Sequence, residues 1–205
     1  MNVIIRKETE ADQYASELVA KRAFWNKHHP GCSEHYLVHK LRLDQTYIPE
    51  LTRVAEVDGK VVGLIMYAIS SLVRGEEKIE VLTFGPLCVD PDYQAKGIGG
   101  RLLESSLEDA RKMGYRGVVI FGEPDYYPLH GFKTCDYWKI ATLDGKNFDS
   151  FLGYELIPGG LAYPGAKFQE AAVYSELPAE EVEEYDKKFP YMEKLRLPGQ
   201  WPDEE

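Results

Sequence analysis

Three glycines occupy the position where a helix is predicted to begin, and this placement points to anion binding. Gly97, Gly99 and Gly100 lie in "QAKGIGGRLL" (94–103), directly before an apolar stripe with helical spacing. Glycine is the weakest helix former after proline, so a glycine-rich first turn loses stability unless its bare backbone has a use. The first N–H groups of a helix lack intrahelical partners and can bind an anion. The chemistry to consider is therefore phosphate binding.

Two common phosphate-binding motifs do not fit the surroundings of these glycines. A P-loop has the form GxxxxGK[ST], and no Lys-Ser or Lys-Thr pair follows them here. A dinucleotide fingerprint, GxGxxG or GxGxxA, comes directly after a strand. In this chain Leu102 stands where the fingerprint requires its third residue to be Gly or Ala, and "DPDYQAK" separates the glycines from the preceding apolar run. An NAD-type site is therefore disfavoured.

A third pattern fits, and it extends over three linked motifs. "QAKGIG" (94–99) matches [RQ]-x-x-G-x-[GA] within the longer run "GPLCVDPDYQAKGIGGRLLE". Downstream, "FGEPDYYPLHGF" (121–132) has a tyrosine-containing turn before a Gly-Phe pair. Together these segments resemble the GNAT superfamily of acetyl-CoA-dependent N-acetyltransferases, across residues 3–140. The resemblance implies an α/β fold with a mostly antiparallel sheet, a splayed parallel strand pair and flanking helices.

The resemblance also implies that acetyl-CoA is the co-substrate and that two neighbouring segments bind it. Glycine would let the backbone N–H groups of the loop approach the pyrophosphate oxygens closely. The implied pyrophosphate-binding residues are Gln94, Ala95, Lys96, Gly97, Ile98, Gly99 and Gly100, with the Gln94 side chain anchoring the loop. The pantetheine arm would pair with the preceding strand at Leu87, Cys88 and Val89. We interpret Cys88 as a small core residue of that strand, not as a site of covalent acetylation.

Acetyl transfer from a thioester also needs a proton for the leaving thiolate, and a tyrosine is the candidate donor. In the family this tyrosine often stands four residues before the Gly-Phe pair. Counting back from Gly131 and Phe132 gives Tyr127. Tyr126 stays the alternative, because "GEPDYYPLHGF" is shorter than the commonest family pattern.

The base that deprotonates the acceptor amine has several candidates. A free alkylamine titrates near about 10, so its proton must be removed at neutral pH. Glu80 lies near the start of the strand that carries Leu87, and Glu123 directly follows an apolar run. Both are predicted to face the cleft. A water chain, as in other family members, and His130 are the alternatives.

We predict an N-acetyltransferase that moves the acetyl group of acetyl-CoA to a primary amine by direct transfer in a ternary complex. The acceptor is a small-molecule or peptide amine. The alternative is a non-catalytic acyl-CoA-binding sensor or regulatory module that kept the cofactor site, and acetyl-CoA turnover with any amine would exclude it. A nucleotide-binding oxidoreductase is a more distant alternative, which titration with NAD and with acetyl-CoA would separate.

The composition is that of a globular chain with an acidic balance. A net charge of −10 over 205 residues disfavours a nucleic-acid partner. The short apolar stretch at the N-terminus has no basic leader, and no apolar run is long enough to cross a membrane, so we expect a cytoplasmic protein.

The spacing of Cys32, Cys88 and Cys135 is too wide for a CxxC motif. His35 and His39 share a helical face, but the glutamate of HExxH is missing and no metal is expected.

Hydrophobic patterning predicts the elements that position these motifs. Strands are predicted at 3–6, 52–57, 60–69, 79–89 and 117–121, with helices after Thr9, after Ser33 and from the glycines to Gly114. Asp58-Gly59 between two β-rich runs is typical of a type I′ hairpin. Gly85-Pro86 interrupts the fourth strand, as proline does at a bulge or an edge. Antiparallel strands followed by one parallel crossover give a mixed α/β sheet.

The C-terminal third is predicted to be folded. Residues 133–205 hold 12 of the 25 aromatic residues, whereas disordered tails are poor in aromatics. We expect an N-acetyltransferase domain at 1–143 and, at 144–205, an extension that packs on it, walls the acceptor side of the cleft and ends in an acidic tail. Residues 132–143 are predicted to form a strand closing the sheet, and 148–168 a short helix leading into a Gly/Pro-rich excursion. Homodimer formation stays open.

Overall fold

In the computed structural model, residues 1–201 are described, and this part of the chain forms a mixed sheet with helices on both faces. The strands are β1 (Val3–Lys7), β2 (Arg53–Val57), β3 (Lys60–Arg74), β4 (Glu77–Val89), β5 (Gly117–Phe121), β6 (Lys133–Thr134), β7 (Ala141–Thr142), β8 (Phe151–Glu155) and β9 (Lys167–Gln169). The α-helices are α1 (Gln13–Phe24), α2 (Glu34–Leu43), α3 (Ile98–Lys112) and α4 (Ala179–Asp186). The sheet order is β1-β2-β3-β4-β5-β8-β6, with β9 paired to β3 and β7 paired to β9. The predicted mixed α/β fold is confirmed.

Strand β3 contributes to the core on both faces of the sheet, because successive residues of a strand point to opposite sides. Leu64 and Met66 are buried against side chains of α1 and α2. Ile65 and Tyr67 are buried on the other side, in a cluster that includes Leu103 of α3. The sheet is therefore covered by α1 and α2 on one face and by α3 on the other.

The hairpin between β2 and β3 turns at Asp58-Gly59, as predicted. Both residues have positive φ, 50° and 78°, which is the pattern of a type I′ turn. Strand β3 then pairs with β4 along most of its length, with a register shift between Ile65 and Tyr67. The shift lies beside Gly85-Pro86, whose peptide bond is cis. The predicted irregularity in β4 is confirmed.

Strands β4 and β5 form the parallel pair, and they diverge soon after they meet. Their described pairing is between Leu82 and Val118. From there β4 continues for seven residues to Val89, whereas β5 ends three residues later at Phe121. The divergence leaves one edge of β4 without a strand partner and opens a gap between the two strands.

The prediction of one strand over residues 132–143 is wrong. The structure instead has β6, a 3₁₀ helix at Cys135–Trp138 and β7. Lys139 has a φ of 56°, which turns the chain, and the N–H of Ile140 donates to the carbonyl of Cys135 at 3.1 Å. Cys135 and Ile140 are both buried in one cluster, and a turn brings two residues five apart together where an extended strand would separate them.

The short helix predicted at the start of residues 148–168 is also wrong, because this region contains β8, which pairs antiparallel with β5. Phe148, Phe151 and Leu152 have the spacing of a helix face. However, Phe151 and Leu152 are buried in different clusters, as neighbouring residues of an interior strand are. A Cβ at Gly153 would lie 2.9 Å from the ring of Trp138, so glycine allows the close packing. The chain beyond residue 143 thus supplies β8 and β9 to the sheet.

The last helix packs against α1 and α2. The Tyr185 ring lies 5.2 Å from the Tyr36 ring, and its hydroxyl donates to Glu17 at 2.9 Å. The ammonium group of Lys21 is fully buried and lies 2.7 Å from the carboxylate of Asp186. A buried cation is stable only beside such a partner, so α4 and α1 depend on each other.

The α2 histidines contact protein groups. Nδ1 of His35 lies 3.5 Å from Sγ of Cys32, and Nε2 lies 3.2 Å from Asp186. The ring of His39 stacks on Tyr185 at 4.6 Å. Within residues 1–201, no group of three or more His, Cys, Asp or Glu is arranged to hold a metal ion. No helix in this described part is long and apolar enough to cross a bilayer.

Candidate active site

A cleft of about 400 Å³ opens where β4 and β5 diverge. It is bounded by the end of β4, the loop into α3, the first turn of α3, the end of α1 and the loop after β5. Nine of the ten predicted cofactor-binding residues line it: Leu87, Cys88, Val89, Gln94, Ala95, Gly97, Ile98, Gly99 and Gly100. Of the predicted catalytic residues, Tyr127 and Glu123 line the cleft. The structure therefore brings together predicted site residues that lie up to 40 residues apart in the sequence.

One wall of the cleft is the edge of β4 that faces away from β3. Leu87, Cys88 and Val89 pair with β3 on their other side, so they are held rigidly in the sheet. The carbonyl of Val89 accepts a hydrogen bond from Nε2 of Gln94 at 2.9 Å. This bond ties the loop to the strand, so the Gln94 side chain anchors the loop.

The loop into α3 has a backbone conformation suited to an anion. Ala95 and Gly97 both have positive φ, 56° and 76°. Alternation between left-handed and right-handed residues turns successive N–H groups toward one side, which forms a concave anion site. The first intrahelical bond of α3 runs from the N–H of Arg101 to the carbonyl of Gly97. The N–H groups between them are therefore free of helical partners.

The three glycines differ in what they make room for. Gly97 has the left-handed conformation, and a Cβ built there would meet no atom within 4 Å, so the space beside it is open. A Cβ on Gly99 would lie 3.0 Å from the hydroxyl of Tyr126, and one on Gly100 would lie 3.0 Å from the ring of His130. Gly97 therefore keeps the ligand side open, whereas Gly99 and Gly100 allow the loop after β5 to approach the helix.

Two predicted site residues do not line the cleft. The Lys96 side chain bends back, so that Nζ donates to the carbonyl of Asp92 at 2.7 Å and lies 5.1 Å from the Tyr93 ring. Glu80 is exposed and pairs with Ser71 of β3, seven residues before Leu87. At the rise of a β-strand this is roughly 20 Å from the cleft end of β4. The structure does not bring Glu80 together with the other candidates.

The two adjacent tyrosines occupy different parts of the site. The Tyr127 ring packs between Phe84 at 5.6 Å and Phe132 at 5.4 Å, so it lies under the gap between the strands. A Cβ on Gly122 would lie 2.4 Å from this ring, so glycine is needed there. Burial raises the pKa of the Tyr127 phenol well above its ordinary value. Tyr126 instead places its hydroxyl beside the start of α3.

Helix α1 and the turn after it contribute residues that the sequence patterns did not indicate. Ala23, Phe24 and Lys27 line the cleft opposite α3, and Nζ of Lys27 lies 3.2 Å from the Glu123 carboxylate. Their contribution arises because α1 crosses the sheet and ends at the gap between the strands, which is a tertiary arrangement. A strictly local signal for them does not exist in the sequence.

An ion-pair network holds α1 against the loop into α3. The guanidinium of Arg22 lies 2.6 Å from Asp90 and 3.0 Å from Asp92, at the end of β4. These carboxylates raise the pKa of Arg22, with the Asp90 hydrogen bond as the largest cause. The N–H of Asp92 also donates to the Asp90 carboxylate at 3.0 Å. Both cleft walls are therefore linked at this corner.

The parallel strands β4 and β5 splay apart beside the first turn of α3, whose N–H groups have no helical partner. This arrangement is the one expected of an acyltransferase fold. The family model described as the Acetyltransferase (GNAT) family matches residues 22–133, which is more than half of the chain. The chain therefore belongs to the GNAT acetyltransferase family.

Similar proteins include two from Escherichia coli K12. The uncharacterized N-acetyltransferase YjhQ is 38% identical over 100 residues, covering 48% of this chain and 55% of YjhQ. The chain thus matches about half the length of that relative. The uncharacterized N-acetyltransferase YhbS is 28% identical over 133 residues, covering 65% of this chain and 75% of YhbS.

Solved structures show the same fold. YhbS from E. coli in complex with CoA has a TM-score of 0.73 at 23% identity, covering 87% of this chain and 94% of YhbS. A GNAT family acetyltransferase from Brucella melitensis in complex with acetyl-CoA has a TM-score of 0.66 at 28% identity. That similarity covers 84% of this chain and 98% of the Brucella protein.

Proposed function

We propose that this protein is an N-acetyltransferase that moves the acetyl group of acetyl-CoA to a primary amine by direct transfer in a ternary complex. The observation that carries the proposal is the cleft between β4 and β5, which ends at a loop with free backbone N–H groups. The relatives that were solved with CoA and acetyl-CoA support this choice of co-substrate. The acceptor is a small-molecule or peptide amine.

The residues present fit acetyl-CoA. The N–H groups of the loop from Ala95 to Gly100 would hold the pyrophosphate, and the open space beside Gly97 admits its oxygens. The free edge of Leu87–Val89 would pair with the amide groups of the pantetheine arm. When bound, acetyl-CoA supplies an acetyl group activated as a thioester.

Tyr127 is suited to protonate the leaving sulfur. Its hydroxyl has no hydrogen-bond partner among residues 1–201, and the residue lines the same cleft as Glu123 and Cys88. Because burial raises the pKa of the phenol, it stays protonated at neutral pH and can act as an acid. Tyr126 is less suited, since its hydroxyl is directed at the first turn of α3.

Direct transfer is favoured over a covalent acetyl-cysteine. Cys88 is the thiol that lines the cleft, and it is buried with a raised pKa, chiefly because burial disfavours the thiolate. The thiol is therefore a poor nucleophile at neutral pH. In direct transfer the acceptor ammonium loses two of its three protons. One leaves through a base to solvent, and the other is matched by the proton that the leaving sulfur gains.

The test is release of free thiol from acetyl-CoA in the presence of a panel of primary amines. We expect thiol release with at least one amine, together with acetyl-CoA binding in the micromolar range and no binding of NAD. At about a hundredfold excess over its dissociation constant, acetyl-CoA should stabilise the fold by about 2.7 kcal/mol. Acetyl-CoA binding without turnover would indicate the alternative, a non-catalytic acyl-CoA-binding module, and no binding would overturn the proposal.

Gly97→Val is the matched variant for the binding step. Valine disfavours the left-handed backbone and fills the open side of the loop, so the acetyl-CoA-induced stabilisation should disappear. Gly145→Val is the control, because Gly145 also has positive φ and open space but does not line the cleft. It should keep the stabilisation by acetyl-CoA, and equal loss in both variants would contradict the loop assignment.

A further inference from the structure

One half-buried carboxylate has no role in the site described so far. Glu170 directly follows β9, and among residues 1–201 it has no hydrogen-bond or ion-pair partner. Its side chain is half-buried, and partial desolvation raises the pKa of the carboxyl from 4.5 to about 7. A half-buried carboxylate without a protein partner is available to a cationic ligand.

Hydrogen bonds fix the backbone of Glu170 over the point where β4 and β5 separate. Its neighbour Ala171 donates its N–H to Oγ of Ser70 on β3 at 3.0 Å. The hydroxyl of Thr83 on β4 lies 2.9 Å from the same Ser70 oxygen and 2.9 Å from the carbonyl of Val119 on β5. These bonds connect residue 171 with both diverging strands, one residue beyond their paired position.

The aromatic residues on either side of Glu170 lie against the two strands. The Phe168 ring lies 5.8 Å from the Phe121 ring at the end of β5. The Tyr174 hydroxyl lies 3.5 Å from the carbonyl of Thr83, and a Cβ on Gly85 would lie 3.2 Å from the Tyr174 ring. Glu170 is therefore flanked by groups that contact β5 on one side and β4 on the other. Glu170 lies at the opposite end of the gap from the loop into α3.

We propose that Glu170 is the carboxylate that binds the acceptor's ammonium group and removes its proton before transfer. The assignment rests on the proposed N-acetyltransferase function and names the base for it. The ammonium R–NH₃⁺ and the carboxylate give R–NH₂ and the neutral carboxyl group. The nitrogen lone pair then forms the N–C bond as the C–S bond breaks, and the leaving sulfur takes a proton from Tyr127. The nitrogen returns its second proton to the Tyr127 phenolate, and the carboxyl proton passes to solvent. The acceptor class is accordingly a primary amine that is cationic in water.

The experiment compares Glu170→Gln with the unchanged protein, using 2-phenylethylamine, spermidine, ethanolamine and a lysine peptide as acceptors. The first probe is included because the Phe121 and Phe148 rings, stacked at 5.9 Å, are half exposed beside Glu170's neighbour Phe168. We expect kcat/KM for amine acetylation to fall at least about a hundredfold in the variant. Acetyl-CoA affinity by calorimetry should stay within about twofold, since Glu170 lies away from the loop.

Two further readouts distinguish a base from a structural carboxylate. In the unchanged protein kcat/KM should fall below about pH 7, where Glu170 becomes protonated. In Glu170→Gln the midpoint near pH 7 should be lost, and kcat/KM should instead rise with the unprotonated fraction of the amine up to its own pKa of about 10. The titratable neighbours are Tyr174, which interacts with Glu170, and Tyr67 and Asp44, which interact with Tyr174. At pH 8 the melting temperature of the variant should not fall, because glutamine removes a half-buried charge that has no partner among residues 1–201.

Glu176→Gln is the matched control, an exposed glutamate of the same segment, and it should change none of these quantities. A Glu170→Gln protein that keeps kcat/KM within about threefold, or that keeps the midpoint near pH 7, would overturn the assignment. So would equal loss of acetyl-CoA binding or a clear fall in melting temperature. If the unchanged protein binds acetyl-CoA but releases no thiol with any of the amines, the proposed function itself fails, and the role of Glu170 with it.

Discussion

Replacing Tyr127 by phenylalanine removes one oxygen from the cleft and leaves the rest of the packing in place. The ring contacts with Phe84 and Phe132, at 5.6 and 5.4 Å, do not involve the hydroxyl. That hydroxyl has no hydrogen-bond partner among residues 1–201, so no buried group loses a partner. We therefore expect the free energy of unfolding to change by less than about 0.5 kcal/mol.

The expected kinetic effect is much larger than the effect on stability. General-acid catalysis contributes about a hundredfold or more, and each factor of ten corresponds to about 1.36 kcal/mol of activation free energy. Tyr127→Phe should thus lose about 2.7 kcal/mol of transition-state stabilisation. The loss should appear in kcat and not in acetyl-CoA affinity, because the loop into α3 and the edge of β4 are unchanged.

Thiol release at saturating acetyl-CoA and amine measures kcat, and calorimetry with acetyl-CoA measures affinity. Tyr126→Phe is the control, because its hydroxyl lies beside Gly99 and is expected to influence binding at the helix start. An unchanged kcat in Tyr127→Phe together with a large loss in Tyr126→Phe would transfer the role by one residue. If neither substitution lowers kcat, the tyrosine assignment is refuted.

The remaining predictions concern stability. Asp186→Asn leaves the buried ammonium of Lys21 without its carboxylate. This substitution should lower the free energy of unfolding, measured by urea titration, by about 3 kcal/mol. A loss below about 1 kcal/mol would contradict the described packing. Burial lowers the pKa of His35 from 6.5 to about 4, so the unfolded chain binds the additional proton and stability should decrease as pH falls from 6.5 to 4, by up to about 3 kcal/mol. Melting curves of a His35→Asn variant should show a weaker dependence across that range, and an identical dependence would refute this explanation. Truncation after Thr142 removes β8 and β9 and should give an aggregating protein, whereas a soluble fragment with unchanged melting would refute the packing of the C-terminal segment.

Local patterns predicted the parts of the fold that depend on nearby residues. The Asp58-Gly59 turn and the break at Gly85-Pro86 follow from backbone preferences of the residues themselves. The glycine-rich start of α3 likewise predicts a loop that presents its backbone, and not its side chains, to a ligand. Such features carry their physical cause within a few residues, so the sequence alone was enough to predict them.

Features that depend on distant partners could not be predicted in the same way. Phe151 and Leu152 are equally apolar on a helix or a strand, and only the open edge of β5 decides between the two. Lys96 lies in the predicted loop, but its side chain finds an acceptor in the carbonyl of Asp92 and leaves the cleft. Glu170 resembles any other glutamate in the sequence, because its place beside the diverging strands depends on the bond from Ala171 to Ser70 of β3.

The central claim is that the cleft between β4 and β5 transfers an acetyl group to an amine. The most direct measurement is mass spectrometry of the amine panel after incubation with the protein and acetyl-CoA labelled with ¹³C in the acetyl group. We expect the label to appear in an amide of at least one amine, in equal amount to the thiol released, and we expect Gly97→Val to abolish both. Label recovered only as free acetate, or unconsumed acetyl-CoA with every amine, would contradict it.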